Sequence, residues 1–179
     1  KADLQTLDLF AAPADGDSMA LSTTDWLTAL ERLADAGLLR RLDSALAAFV
    51  AAQDAEAGPA LLVASAVLAQ MEGRGHSCLP LQALAGDPNQ VLAWPKEAER
   101  LQQSLWEQLP SRLADWLQAL RRSPVVRVVQ SGVVAADRGQ PLVLLDGAAP
   151  LLYLRRYWDY ERSVAAHMAQ RTAADAVAL

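Results

Sequence analysis

Lysine is almost absent from this chain of 179 residues, in which all basic residues except Lys1 and Lys96 are arginine. A phosphate-binding P-loop needs a lysine directly after a glycine, and neither lysine follows one. Nucleases that pair an acidic residue with a lysine two positions later are also excluded, because Trp94 stands at that position before Lys96. The sequence therefore predicts no ATPase centre and no nuclease centre of these kinds.

Cysteine and histidine are equally scarce. Cys78 is the single cysteine, which excludes an internal disulfide and favours a reducing compartment, so we expect a cytoplasmic protein. His76 and Cys78 lie two residues apart and His167 is the only other histidine, whereas a structural zinc site has about four ligands. We expect no metal and no cofactor on this chain. A nucleophilic pair of Cys78 and His76 stands as an alternative to plain packing of the cysteine.

Long apolar runs and overall positive charge are missing as well. The longest uncharged segment, 57–71, has 15 residues, fewer than the roughly 20 that a membrane-spanning helix needs. The net charge of -5 makes the chain as a whole repel a phosphate backbone. Residues 121–171 nevertheless hold eight arginines against four acidic residues, so this part could face an acidic partner.

Alanine and leucine are abundant, with 36 and 31 residues, and this composition favours helix. Apolar residues at helical spacing, with capping residues and prolines at the ends, predict five helices and one short helical turn. The helices cover approximately residues 22–37, 39–54, 59–71, 95–109 and 113–122, and the turn covers 81–84. The segment 11–22 has no apolar period and is interpreted as a loop or linker.

Three details of these helices matter below. Ser22 and Asp25 have the spacing of a capping box. The second helix is expected to bury Leu39, Leu42, Leu46, Phe49 and Val50 on one face. The third helix is apolar on all sides, which predicts that it forms the centre of the core.

The C-terminal part changes character after Pro124. The valines at 125, 126, 128, 129, 133 and 134 favour strands. The apolar segments 142–145 and 151–154 predict a hairpin through Asp146-Gly147. A closing helix over 157–174 has Tyr160, Val164, Ala165 and Met168 on one face. The fold class is thus α+β, mainly α. We expect a bundle of five or six helices in the helical region, 1–124, followed by a small antiparallel sheet or hairpin and a closing helix, 125–179, packed together as one domain.

Aromatic and arginine residues alternate where the sheet meets the closing helix. Such a mixture is enriched at protein interfaces, and the candidates for partner binding are Tyr153, Arg155, Arg156, Tyr157, Trp158 and Arg162. A solvated start of a helix explains the same pattern equally well. A third interpretation is a DNA-contacting module, similar to a winged helix, that uses the pairs Arg121-Arg122 and Arg155-Arg156.

Two stretches of the sequence resemble the RecD family, the alpha chain of exonuclease V. The first is the apolar helix 61–69 with the turn that follows it, Glu72-Gly-Arg-Gly-His-Ser-Cys-Leu-Pro-Leu81. The second is the hairpin strand 141–147 with the segment 152–165, which reads Leu-Tyr-Leu-Arg-Arg-Tyr-Trp-Asp-Tyr-Glu-Arg-Ser-Val-Ala. The resemblance assigns a structural role to the motif residues Gly75, His76, Cys78, Leu79 and Pro80.

The resemblance implies that this chain is an N-terminal domain. RecD is a helicase subunit of the RecBCD complex, which unwinds DNA with 5′ to 3′ polarity in the repair of double-strand breaks. Its motor, which uses ATP and magnesium, lies C-terminal to the region matched here, and the nuclease centre belongs to RecB. The implied role is to dock the motor against RecC chiefly, and against RecB, with DNA reached through the complex and no membrane involved.

Overall fold

The computed structural model describes residues 4, 7–10, 20–130, 133 and 136–177, with side chains through Arg171. Most of the expected linker 11–22 lies outside the described residues, as does Val134 of the second valine pair. Among the described residues, no helix combines the length and the apolar character that crossing a membrane would require.

Helices form most of the described structure, as the composition predicts. The first, α1, begins after Ser22, whose hydroxyl oxygen accepts from Asp25 N while Ser22 N donates to the Asp25 carboxylate, so the capping box is confirmed. Two short 3₁₀ turns at Pro88–Gln90 and Lys96–Ala98 precede α5. The seven helices of the described part are α1 Thr23–Asp35, α2 Arg41–Gln53, α3 Pro59–Gly73, α4 Leu81–Gly86, α5 Glu99–Glu107, α6 Leu113–Arg122 and α7 Arg155–Val177.

The core is centred on α3, as its uniform apolarity predicts. Residues 60–69 of this helix are all buried, and α1, α2, α6 and the sheet pack against the helix. Ser65 is the polar exception, and its hydroxyl donates to the Leu61 carbonyl oxygen at 2.7 Å, so that burial leaves no unpaired donor there. A second buried polar contact, from Ser123 Oγ to Asp54 Oδ2 at 2.6 Å, ties the end of α2 to the end of α6.

The orientation predicted for α2 is wrong. Leu39 and Val50 are buried, but Leu42 is 62% exposed and Phe49 47% exposed. The helix instead turns Asp43, Ser44 and Ala47 inward. Asp43 pairs there with Arg40 at 2.7 Å, which offsets the cost of burying its carboxylate.

The sheet has four strands in the order β1-β4-β3-β2, where β1 is Cys78–Pro80, β2 Val126–Val129, β3 Leu142–Leu145 and β4 Leu151–Leu154. The β3–β4 hairpin is antiparallel, as expected, with Leu144 opposite Leu152. β2 runs parallel to β3, which corrects the prediction of an antiparallel sheet. A parallel pair of strands needs a connection of about a dozen residues, and the segment 130–141 is long enough. Its sequence has no helical periodicity, so the parallel arrangement was not predicted.

β1 is the strand that the sequence analysis missed. It pairs with β4, with Cys78 opposite Tyr153 and Pro80 opposite Leu151. A three-residue segment that ends in proline predicts a loop. An edge strand nevertheless tolerates proline, because a backbone N–H on the open side of the sheet would have no hydrogen-bond partner in a neighbouring strand. β1 occupies such an edge and brings the end of α3 against the start of α7.

The closing helix α7 begins two residues earlier than predicted. Tyr160, Val164 and Met168, the face expected to be apolar, are exposed, and so are all described side chains from Asp159 to Arg171. Only the first turn of α7 packs on the sheet, where Trp158 is buried.

Candidate functional site

The motif turn between α3 and β1 is a structural element of the site. Gly75 has a φ of +88°, in the left-handed region that glycine adopts without strain. The amide of Gly75 donates to Glu72 O at 2.8 Å and that of His76 to Met71 O at 3.0 Å, which satisfies the last carbonyls of α3. Leu79 is then fully buried in the main core. The turn therefore redirects the chain from the core helix into the sheet edge.

Cys78 lies beside Tyr153, Ser77 and Glu161. The Ser77 hydroxyl donates to Glu161 Oε1 at 2.5 Å, which links the residue before β1 to α7. Burial, with a contribution from the Glu161 charge, raises the pKa of the Cys78 thiol. Burial also raises the pKa of Tyr153. A nucleophilic cysteine needs the opposite shift, because the thiolate is the reactive form. The geometry thus favours packing over catalysis at Cys78.

We predict that the Cys78 thiol of the folded protein is alkylated more slowly at pH 8 than the same thiol in denaturant. A raised pKa leaves less thiolate at that pH, and partial burial restricts access. Iodoacetamide modification followed by mass spectrometry measures both rates. A folded-state rate above the denatured one would revive the catalytic alternative.

The six partner candidates divide by exposure. Tyr153 and Trp158 are buried and meet edge to face, with ring centroids 5.3 Å apart. Arg155 and Tyr157 are half-buried, whereas Arg156 and Arg162 are exposed. The guanidinium of Arg162 lies 5.7 Å from the centre of the Trp158 ring. The aromatic members therefore hold α7 to the sheet, while the arginines reach the surface.

Several arginines of the DNA-binding alternative are already paired within the chain. Arg121 forms two hydrogen bonds to the Asp146 carboxylate, at 2.7 and 2.8 Å. Arg155 donates to Asp137 at 2.6 Å and Arg156 to Glu72 at 2.8 Å. Phosphate binding would have to compete with these carboxylates, which lowers its expected gain.

Glu72, in the last turn of α3, connects three elements. Its Oε1 accepts from Arg156 Nη2 and from the Tyr157 hydroxyl, each at 2.8 Å. Its Oε2 lies 3.7 Å from Arg40 Nη2. The hydrogen bond to Glu72 raises the pKa of Tyr157. The carboxylate thereby holds the start of α2, the end of α3 and the start of α7 together.

Gly73 provides the space for the Arg40 guanidinium, which a Cβ at Gly73 would overlap. We predict that Gly73→Ala costs about 0.5–1.5 kcal/mol, because the flexible end of Arg40 must move aside and weakens its hydrogen bonds to the buried Asp43 carboxylate. In an Arg40→Ala background the same substitution is expected to be neutral or stabilising by up to about 1 kcal/mol, the helix-propensity difference. Urea unfolding of the four proteins tests this coupling, and equal costs in both backgrounds would disprove it.

An apolar groove lies between α2 and the sheet, about 450 Å³ in volume. Leu42 and Leu46 form the α2 side, Ala69 of α3 lies between, and Pro141 and Leu154 form the sheet side. Glu72, Arg155 and Arg156 complete the lining. The two arginines were among the predicted partner-binding residues, but the groove was not predicted, because the helical spacing of the α2 leucines predicts their burial in the core. The one usable signal was the pair Asp43 and Ser44 within an otherwise apolar helix.

Comparison with protein families matches residues 35–153 to the family described as RecBCD enzyme subunit RecD, N-terminal domain. The match covers more than half of the chain. This chain belongs to the RecD N-terminal domain family. A comparison with curated proteins gave no match.

The part matched to the RecD N-terminal domain contains α2, the motif turn and the sheet through Tyr153. The family resemblance inferred from the motifs at Glu72–Leu81 and at the hairpin is confirmed. The groove straddles the end of the match, since its lining residues Leu154, Arg155 and Arg156 come directly after position 153.

The RecD family implies ATP and magnesium for its motor. The sequence has no P-loop lysine. Within the part that the structure describes, no three histidine, cysteine or acidic side chains are grouped so that they could hold a metal ion.

Proposed function

We propose that this chain is the non-catalytic N-terminal domain of a RecD subunit, and that it docks the helicase motor of that subunit into the RecBCD complex, chiefly against RecC. The observation that carries the proposal is the family match across 35–153. The outward apolar face of α2 supports it, because contiguous large apolar side chains on a protein surface mark contact sites for other proteins.

The remaining parts of the proposal follow from RecD membership. The complex acts in the cytoplasm on DNA with double-strand breaks, RecB is a second partner, and ATP and magnesium bind the motor outside this chain. We also propose that 1–124 and 125–179 fold as one unit. A core shared by α3 with Leu142, Leu144 and Leu152 of the sheet supports this last point.

Deletion of this domain from the full-length subunit tests the docking role. We expect the shortened subunit to bind single-stranded DNA and hydrolyse ATP, but to be lost from the complex when RecB and RecC are purified by affinity. Assembly unaffected by the deletion would disprove the docking role. Loss of DNA-stimulated ATPase activity with assembly intact would instead favour a DNA-contacting module.

A further inference from the structure

The outward face of α2 is apolar and its buried face is partly polar, which is the opposite of an ordinary surface helix. Leu42, Leu46 and Phe49 recur at the i, i+4, i+7 spacing of one helix face, and the first and last are exposed. The buried face carries Asp43, Ser44 and Ala47. Because exposed apolar side chains cost free energy in water, a helix of this kind is stabilised when another element covers its outer face.

The groove provides a second wall for that cover. Pro141 and Leu154 face α2 across it, and Ala69 is small enough to leave its centre open. The groove adjoins β3 and β4, which are the two central strands, so no unpaired backbone edge is available for an added strand. An occupant must therefore bind through side chains, as a helix laid into a groove does.

The charged side chains at the rim of the groove indicate which charge a bound segment would have along its side. The lining has two guanidinium groups, of Arg155 and Arg156, against one carboxylate, of Glu72. Glu72 is 19% exposed, and two arginines and a tyrosine hydroxyl already share it. Arg155 is paired with Asp137 and lies 3.7 Å from Asp159. The side chain of Arg156 is 59% exposed whereas that of Glu72, its partner, is 19% exposed, so the charge that a bound segment meets at this rim is the guanidinium, which is complementary to acidic side chains.

The described lining contains no aromatic ring on which a nucleic-acid base could stack. We infer that the groove between α2 and the hairpin binds an amphipathic helix of the partner protein, with apolar residues three and four positions apart and acidic residues along one flank. This inference rests on the proposed docking function, and it names the surface and the chemistry of the contact.

The test uses the full-length subunit and purified RecC, with the dissociation constant measured by surface plasmon resonance. Leu42→Glu places a negative charge in the groove, and we expect RecC affinity to fall about 30-fold, the loss of an interface hot spot. Leu42→Lys is expected to weaken binding less, because an acidic flank tolerates a cation. Phe49→Glu is a second variant on the same face. Both positions are exposed, so the fold should be retained, which circular dichroism checks.

Val133→Glu is the matched control, since Val133 is also an exposed apolar residue, 58% accessible, but lies in the segment between β2 and β3 and does not line the groove. Its RecC affinity should match the wild type. If the wild-type subunit does not bind RecC, the proposed function fails. If the wild type binds and neither Leu42→Glu nor Phe49→Glu changes the affinity, the groove inference alone fails.

Three other outcomes would also overturn the groove inference. They are an equal effect of Leu42→Glu and Leu42→Lys, a loss of oligonucleotide binding without loss of RecC binding, and self-association of the wild-type subunit that Leu42→Glu abolishes. The first outcome would show that the bound helix has no acidic flank. The second would show that DNA binds in the groove, and the third that a second copy of this chain binds there.

Discussion

Trp158→Ala is expected to lower the free energy of unfolding by about 3–5 kcal/mol, the range for removing a buried aromatic side chain. Trp158 is 8% exposed and forms a small cluster with Val143 and Tyr153 on the outer side of the sheet. It is the anchor that fixes the first turn of α7. Its loss removes both the buried area and the edge-to-face contact with Tyr153.

Trp158→Phe is the matched control, because a phenyl ring retains most of the contact with Tyr153. We expect it to cost about 1–2 kcal/mol, less than the alanine variant. Urea unfolding followed by circular dichroism measures both variants. An unchanged midpoint for Trp158→Ala, together with a loss of RecC affinity, would make Trp158 an interface residue instead of an anchor within the chain.

Arg121→Ala is expected to cost about 1–3 kcal/mol, because it leaves the Asp146 carboxylate without its charged partner. Asp146 is 9% exposed and accepts from Arg121 twice and from Gln130 once, at 2.7 to 2.8 Å. The neighbouring Arg122 provides the control. Its side chain is exposed, and Arg122→Ala should change stability by less than about 0.5 kcal/mol.

This pair also predicts a pH dependence. Hydrogen bonds from Arg121 hold the pKa of Asp146 below its usual value in the folded protein. The stabilisation is therefore present above the unfolded-state pKa, about 4, and is lost as pH falls through the lower folded-state pKa. The stability difference between wild type and Arg121→Ala should shrink below about pH 4. A difference that stays constant from pH 7 to pH 3 would show that packing, not charge, causes the loss.

Local patterns in the sequence predicted most of the helical structure. The Ser22–Asp25 capping box, the proline that opens α3 and the glycine after it act within a few residues, so their effect is readable without the fold. The uniform apolarity of α3 predicted its central position for the same reason. The motif at Glu72–Leu81 was sufficient to identify the family, because its residues form one local turn.

Long-range pairing explains what the sequence analysis missed. The parallel partner of β2 and the edge strand β1 depend on residues far apart in the chain, and neither leaves a periodic signal. The inward side of α2 was mispredicted because Arg40 pairs with Asp43, which makes burial of a carboxylate acceptable. The docking groove was hidden by that same error. Arg155 and Arg156 were predicted as partner-binding residues. Their ion pairs with Asp137 and Glu72 could not be predicted, because those carboxylates are distant in the sequence.

Hydroxyl-radical footprinting of the full-length subunit, alone and assembled with RecB and RecC, tests the docking account most directly. The account predicts that Leu42 and Phe49, both exposed in the isolated domain, become protected from oxidation in the complex. Val133, which is exposed and does not line the groove, is the internal reference and should be oxidised equally in both states. Undiminished oxidation of Leu42 and Phe49 in an assembled complex would contradict the account.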